Sequence, residues 1–98
     1  MNLLPNHEEE LMRLRQFATQ CLSPQQERVL RLFSTEGVPQ KDVAAAINRN
    51  IKTVEKIIGT ITQKYRDFYG PLERNASFKR VLLRAAYYYF LKDLLENS

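Results

Sequence analysis

The chain has 98 residues, 44% of them hydrophobic, and a formal net charge of +4. This size suits a single domain over residues 1–98 with one core, and it leaves no room for a catalytic domain beside a binding domain. The single cysteine excludes an internal disulfide and a cysteine-rich zinc site, and no apolar run reaches the roughly 20 residues of a membrane helix.

The spacing of apolar residues predicts an all-α fold of about five helices. The first helix covers residues 6–20 and supports the rest from the amino-terminal side. The second begins at Ser23-Pro24, where Gln26 completes a capping box, and it ends at Gly37. A short third helix follows Pro39 and is interrupted at residues 48–50.

The fourth helix is predicted to begin after Asn50 and to cover about residues 51–66. One apolar stripe follows it, formed by Val54, Ile57, Ile58, Ile61, Tyr65 and Phe68. Gly70-Pro71 then ends the helical pattern. The fifth helix, residues 77–95, carries apolar side chains nearly all round.

The third and fourth helices have the dimensions of a helix-turn-helix, because a short helix, a break of about four residues and a longer helix follow each other. The unit as a whole covers residues 22–66. Once the apolar stripe is set aside, polar side chains remain on the outer side of the break and the fourth helix. These candidate DNA-binding residues are Arg49, Asn50, Lys52, Thr53, Lys56, Thr60, Gln63 and Lys64.

The basic excess is concentrated in the same part of the chain. Residues 38–66 contain six basic and two acidic side chains, whereas residues 1–37 contain four and five, and residues 67–98 contain five and four. A basic patch on one element is the electrostatic signature that nucleic-acid binding requires. The distribution therefore favours the third and fourth helices as a DNA-binding surface.

Three segments together resemble the helix-turn-helix domains of LuxR-type regulators and of sigma-factor region four. These segments are residues 22–30 (LSPQQERVL), 37–44 (GVPQKDVA) and 50–54 (NIKTV), followed by Lys64-Tyr65. The resemblance covers residues 22–66 and implies a four-helix DNA-binding unit whose recognition helix begins near Asn50. By position, it makes Lys52, Thr53 and Lys56 the DNA contacts and gives Asp42 a structural role.

The subfamily stays open. LuxR-type domains usually have a histidine at the position of Ile57, and the stretch between Leu30 and Gly37 is one residue longer here. That length is closer to sigma region four, yet the chain has no room for a second sigma domain. Gly59 inside the recognition helix is also unusual, since glycine costs about 1 kcal/mol relative to alanine there.

The fifth helix needs cover on more than one side, because apolar side chains surround it. Two alternatives satisfy this need: a twofold homodimer, or a larger monomeric core completed by the first helix. The homodimer places an interface on the tyrosine-rich part of the helix. Its candidate residues are Tyr87, Tyr88, Tyr89, Phe90, Leu91 and Leu94.

The sequence therefore predicts sequence-directed binding to double-stranded DNA by a small transcription regulator. One alternative is a helix-turn-helix module that binds RNA polymerase, a sigma factor or another regulator. Another is a DNA-binding component of phage packaging or replication. Neither catalysis, nor a cofactor, nor a metal site is expected, because the only histidine, His7, has no second ligand or catalytic partner near it in sequence. The amino-terminal sequence lacks a secretory signal, so we expect a cytoplasmic protein without membrane contact.

Overall fold

The computed structural model describes residues 5–96, with side chains from residue 8 onward. Five α-helices form the fold, and no strand occurs within this range, which confirms the predicted all-α class. The helices are α1 (Pro5–Gln16), α2 (Pro24–Arg31), α3 (Gln40–Ala46), α4 (Ile51–Tyr69) and α5 (Phe78–Glu96). Helices α1 and α2 continue into π-helical turns, Phe17–Cys21 and Leu32–Glu36, and a 3₁₀ turn, Pro71–Glu73, precedes α5.

The predicted capping box begins α2. The Ser23 hydroxyl accepts a hydrogen bond from the Gln26 amide at 3.2 Å, and the Gln26 side chain accepts one from the Ser23 amide at 3.0 Å. Pro24 occupies the first turn, where a missing amide hydrogen costs nothing. Because of these reciprocal bonds, α2 begins at the residue that the sequence predicts.

Helix α2 widens into the π-helical turn Leu32–Glu36 before the chain reaches Gly37. A π-helical turn contains more residues per turn than an α-helix, and such turns occur mostly as single turns next to or within α-helices. Ser34 and Thr35 donate their hydroxyl hydrogens to the carbonyls of Leu30 and Arg31, both at 2.7 Å. Gly37 ends the segment with φ +60°, a left-handed conformation that favours glycine.

The core is built around α4. Its predicted apolar stripe faces inward, and Val54, Ile61 and Tyr65 are completely buried. Buried side chains from the other helices pack against this stripe, among them Val29, Leu30, Val43 and Val81. The Phe17 ring meets the Tyr65 ring edge-on at a centroid distance of 5.6 Å, so that the π-helical turn after α1 also joins the core. Helix α4 is therefore held on one side over most of its length.

A polar network connects α5 with α1 and α4. The Arg84 guanidinium donates to the Glu10 carboxylate, to the Tyr65 hydroxyl at 3.0 Å and to the Glu73 carboxylate at 3.1 Å. Arg80 also donates to Glu73 at 3.0 Å, and its guanidinium lowers the pKa of that carboxyl. These bonds keep both carboxylates partnered where α5 crosses the carboxy-terminal half of α4.

The structure corrects the predicted oligomer interface. Tyr88, Tyr89 and Leu91 are only 5%, 4% and 4% exposed, because they face the core, and the Tyr89 hydroxyl donates to Glu27 at 2.6 Å. When apolar residues lie all round a helix, the sequence does not reveal which side of the helix packs against the rest of the same chain. Tyr87, Phe90 and Leu94 remain exposed on the other side. Within residues 5–96 no helix is long and apolar enough to cross a membrane.

Candidate nucleic-acid interface

The turn between α3 and α4 is defined by two asparagines. Asn48 adopts the left-handed conformation with φ +56°. Its amide donates to the Ala45 carbonyl at 3.1 Å, and the Arg49 amide donates to the Ala44 carbonyl at 2.9 Å. These two bonds form a Schellman motif that ends α3. Asn50 then begins α4, as predicted, and its side chain accepts a hydrogen bond from the Thr53 amide at 2.9 Å.

Only one residue of the Ala44–Ala46 run packs inward. Ala44 is buried, whereas Ala45 and Ala46 are exposed, so the close contact between α3 and α4 rests on Ala44, Val43 and Val54. Ala45 instead lines two shallow depressions beside the turn. The first is lined by Ala44, Ala45, Asn48, Arg49, Asn50 and Thr53, and the second by Lys41, Ala44, Ala45, Arg49, Asn50, Ile51 and Lys52. Small side chains thus leave the turn open to a partner.

Four exposed cations surround this turn and the first turns of α4. We call them the basic surface, and they are Lys41, Arg49, Lys52 and Lys56. None of the four forms an ion pair with any carboxylate among the described residues. Asp42 and Glu55 are also exposed within this segment, but neither forms an ion pair with any of the four cations. The basic surface is consequently available to an external anion.

The outward side of α4 carries a regular stripe, which we call the α4 outer face. It consists of Lys52, Lys56, Gly59 and Gln63, at the i, i+4, i+7 and i+11 spacing of one helix face. All four residues are exposed, and Thr60 is exposed beside them. The Gln63 side chain donates to Asp67 at 3.0 Å. A Cβ atom added to Gly59 would meet nothing within 4 Å, so the interior of the protein does not require a glycine there.

Two predicted contact residues differ from this pattern. Lys64 is half-buried, and its ammonium group donates to the Gln26 side chain at 2.8 Å, across 38 positions of sequence. It therefore ties α4 to the capping box of α2, and we remove it from the candidate DNA contacts. Thr53 is half-buried at the edge of the surface, where its amide is already capped by Asn50.

Sequence reasoning omitted Lys41, although it belongs to the same surface. The residue lies at the start of α3 and shares a depression with Arg49 and Lys52. Positions 41, 44 and 45 lie on one side of a helix, because they are separated by three and four residues. Projecting α3 as well as α4 would have found it.

No protein-family model, no curated protein and no solved structure matches this chain.

Proposed function

We propose that this protein binds double-stranded DNA with the α4 outer face in the major groove, and that it acts as a small transcription regulator in the cytoplasm. The observation that carries this proposal is the basic surface: four exposed cations without ion-pair partners among the described residues, gathered around the turn before α4 and on the exposed side of its first turns. We expect this activity to be binding alone, with neither catalysis nor a cofactor.

The shape of α4 supports the proposal. A helix of 19 residues is about 28 Å long, and the major groove accepts one α-helix across its width. In helix-turn-helix proteins the amino-terminal part of the second helix contacts base edges while the first helix crosses the backbone. Lys52 and Lys56 occupy that amino-terminal part, and Lys41 on α3 lies where a backbone contact is expected.

The chemistry of the side chains suggests a division of roles. Arg49 and Lys52 match phosphate oxygens or guanine edges, and Thr60 and Gln63 match either base or backbone atoms farther along the groove. The resemblance of residues 22–66 to LuxR-type and sigma region-four domains independently suggests Lys52, Thr53 and Lys56 as contacts. We therefore assign the affinity mainly to the basic surface and the sequence preference to the α4 outer face, with Lys52 and Lys56, which belong to both, contributing to each.

The test is fluorescence anisotropy with a labelled pool of random duplex DNA across a salt series. Four phosphate contacts predict a slope of log K against log salt of roughly −4, because each contact contributes about −0.9. A Lys52→Glu, Lys56→Glu double variant should reduce the slope to about −2 or abolish binding. The matched control is Arg74→Glu, Lys92→Glu, which makes the same change in net charge at exposed positions outside α3 and α4.

Equal losses of affinity in both double variants would indicate attraction to net charge alone and would refute the assignment to α4. Absence of DNA binding by the folded wild-type protein at low salt would refute the proposed function. That result would favour the alternative in which the helix-turn-helix binds RNA polymerase or another regulator.

A further inference from the structure

The side of α5 that faces away from the core carries an unexpected regularity. Its exposed large apolar residues are Leu83, Tyr87, Phe90 and Leu94, with exposed fractions of 62%, 37%, 64% and 50%. Their spacings of four, three and four residues are those of the a and d positions in a heptad repeat. We call these four residues the α5 seam. The residues that anchor α5 to the core, such as Val81, Ala85 and Tyr88, lie on the opposite side.

We propose that the α5 seam binds the seam of a second copy of this chain, and that the two α5 helices run antiparallel in a twofold dimer. A stripe with strict a and d spacing is complementary to another such stripe, because each side chain enters a gap between four residues of the facing helix. Both α5 helices are already ordered by packing on their own domains. Association therefore avoids the cost of forming the helices, which would prevent such a short isolated pair from assembling.

The charges beside the seam favour a second copy in the antiparallel orientation. Lys79 and Asp93 are exposed, lie 14 positions apart, and so occupy the same flank two heptads apart. Neither forms an ion pair among the described residues. In an antiparallel pair this flank faces the same flank of the partner, and each Lys79 meets the other chain's Asp93. In a parallel pair this flank would instead face the opposite flank of the partner, so Lys79 and Asp93 would not meet.

The structure also limits the strength of the interface. Four side chains from each helix, along little more than three turns, make a contact at the small end of specific protein interfaces. We therefore expect an equilibrium between monomer and dimer that depends on protein concentration. Tyr87 suits such a surface, because its ring buries apolar area while its hydroxyl remains in water.

The experiment measures mass by sedimentation equilibrium over a wide concentration range, without DNA, so that its outcome is independent of DNA binding. The wild-type protein should form dimers, and Leu83→Glu and Phe90→Glu should each shift it to monomer with an unchanged circular dichroism spectrum. The matched control is Leu72→Glu, which introduces the same charge at a leucine that is 98% exposed and lies outside α5. This control should dimerise as the wild type does.

The orientation is tested with charge variants. Lys79→Asp places two acidic groups opposite each other in the antiparallel dimer and should raise the dissociation constant by roughly twofold to tenfold. Adding Asp93→Lys should restore the affinity, because the pairs are then reversed. A wild-type protein that remains monomeric at all concentrations would overturn the proposal, as would dimers unaffected by Leu83→Glu and Phe90→Glu. An unchanged or lower dissociation constant of Lys79→Asp would overturn the antiparallel arrangement, because Lys79 meets Asp93 only when the two helices run antiparallel.

Discussion

Replacing Gly59 by alanine is expected to stabilise the fold while it weakens DNA binding. Gly59 lies within α4, away from both ends of the helix, and a Cβ at this position has nothing within 4 Å. The methyl group therefore causes no clash and buries no new surface. The remaining effect is the helix propensity of the backbone, which favours alanine over glycine by about 0.5–1 kcal/mol.

The stability part of this prediction is measured by urea unfolding followed by circular dichroism. A gain of that size corresponds to a rise in the thermal midpoint of roughly 2–8 °C for a domain of this length. The matched control is Gly37→Ala, since a Cβ there also meets nothing within 4 Å but the backbone has φ +60°. We expect that variant to lose about 1 kcal/mol, because alanine rarely adopts the left-handed conformation.

The binding part uses the anisotropy assay on the same Gly59→Ala protein. Gly59 is the only residue of the α4 outer face without a side chain, and it follows Lys56 by one turn. If DNA approaches the backbone closely there, alanine should weaken binding without changing the salt slope, because no charge is lost. Undiminished affinity would refute a close approach at Gly59, and a destabilised variant would refute the structural reasoning about α4.

The buried tyrosines provide two further predictions. The Tyr69 hydroxyl is buried without a hydrogen-bond partner among the described residues, whereas the Tyr89 hydroxyl donates to Glu27. In urea titrations, Tyr69→Phe should therefore raise the free energy of unfolding by about 1 kcal/mol, because it removes an unsatisfied polar group. Tyr89→Phe should lower it by about 1–2 kcal/mol, because it leaves Glu27 without its donor. Equal effects of the two substitutions would contradict these hydrogen-bond assignments. Burial also raises the pKa of Tyr65 and Tyr89 and raises that of Tyr69 to about 12. Tyrosine in the unfolded chain loses its proton near pH 10, whereas these three keep theirs to higher pH in the folded protein. Their contribution to the free energy of unfolding should therefore be fully present below pH 10. It should fall between pH 10 and 12, by up to about 1.4 kcal/mol per pH unit for each tyrosine. Unfolding free energies measured from pH 9 to 12 check this, and Tyr69→Phe should reduce the slope.

The sequence predicted the helix boundaries well, because the signals that set them are local. The capping box at Ser23, the cap at Asn50 and the turn at Gly37 each depend on residues within a few positions of one another. The inward stripe of α4 was equally predictable, since its polar and apolar sides are sharply separated. Asn48 was recognised only as an interruption, although its left-handed conformation completes the turn.

The errors arose where distant neighbours decide the outcome. Lys64 is spaced like the other polar residues of α4, and only the folded position of Gln26, 38 residues earlier, explains why it is half-buried and hydrogen-bonded within the protein. The sequence also could not predict which side of α5 packs against the core, because apolar residues lie nearly all round this helix. Packing against the rest of the chain buries Tyr88 and Tyr89 and leaves Tyr87 and Phe90 exposed.

The anchoring of α4 explains how a small domain can present a rigid surface. The Tyr65 hydroxyl accepts from Arg84 and the Lys64 ammonium donates to Gln26, so the carboxy-terminal half of α4 is bonded to both α5 and α2. The amino-terminal half is fixed by the Asn50 cap and by burial of Val54 and Ile57, and its exposed side chains take no part in this support. A binding surface is most precise when other residues determine its orientation. Substitutions on the α4 outer face should therefore change binding with little loss of stability, which allows its function to be tested on folded protein.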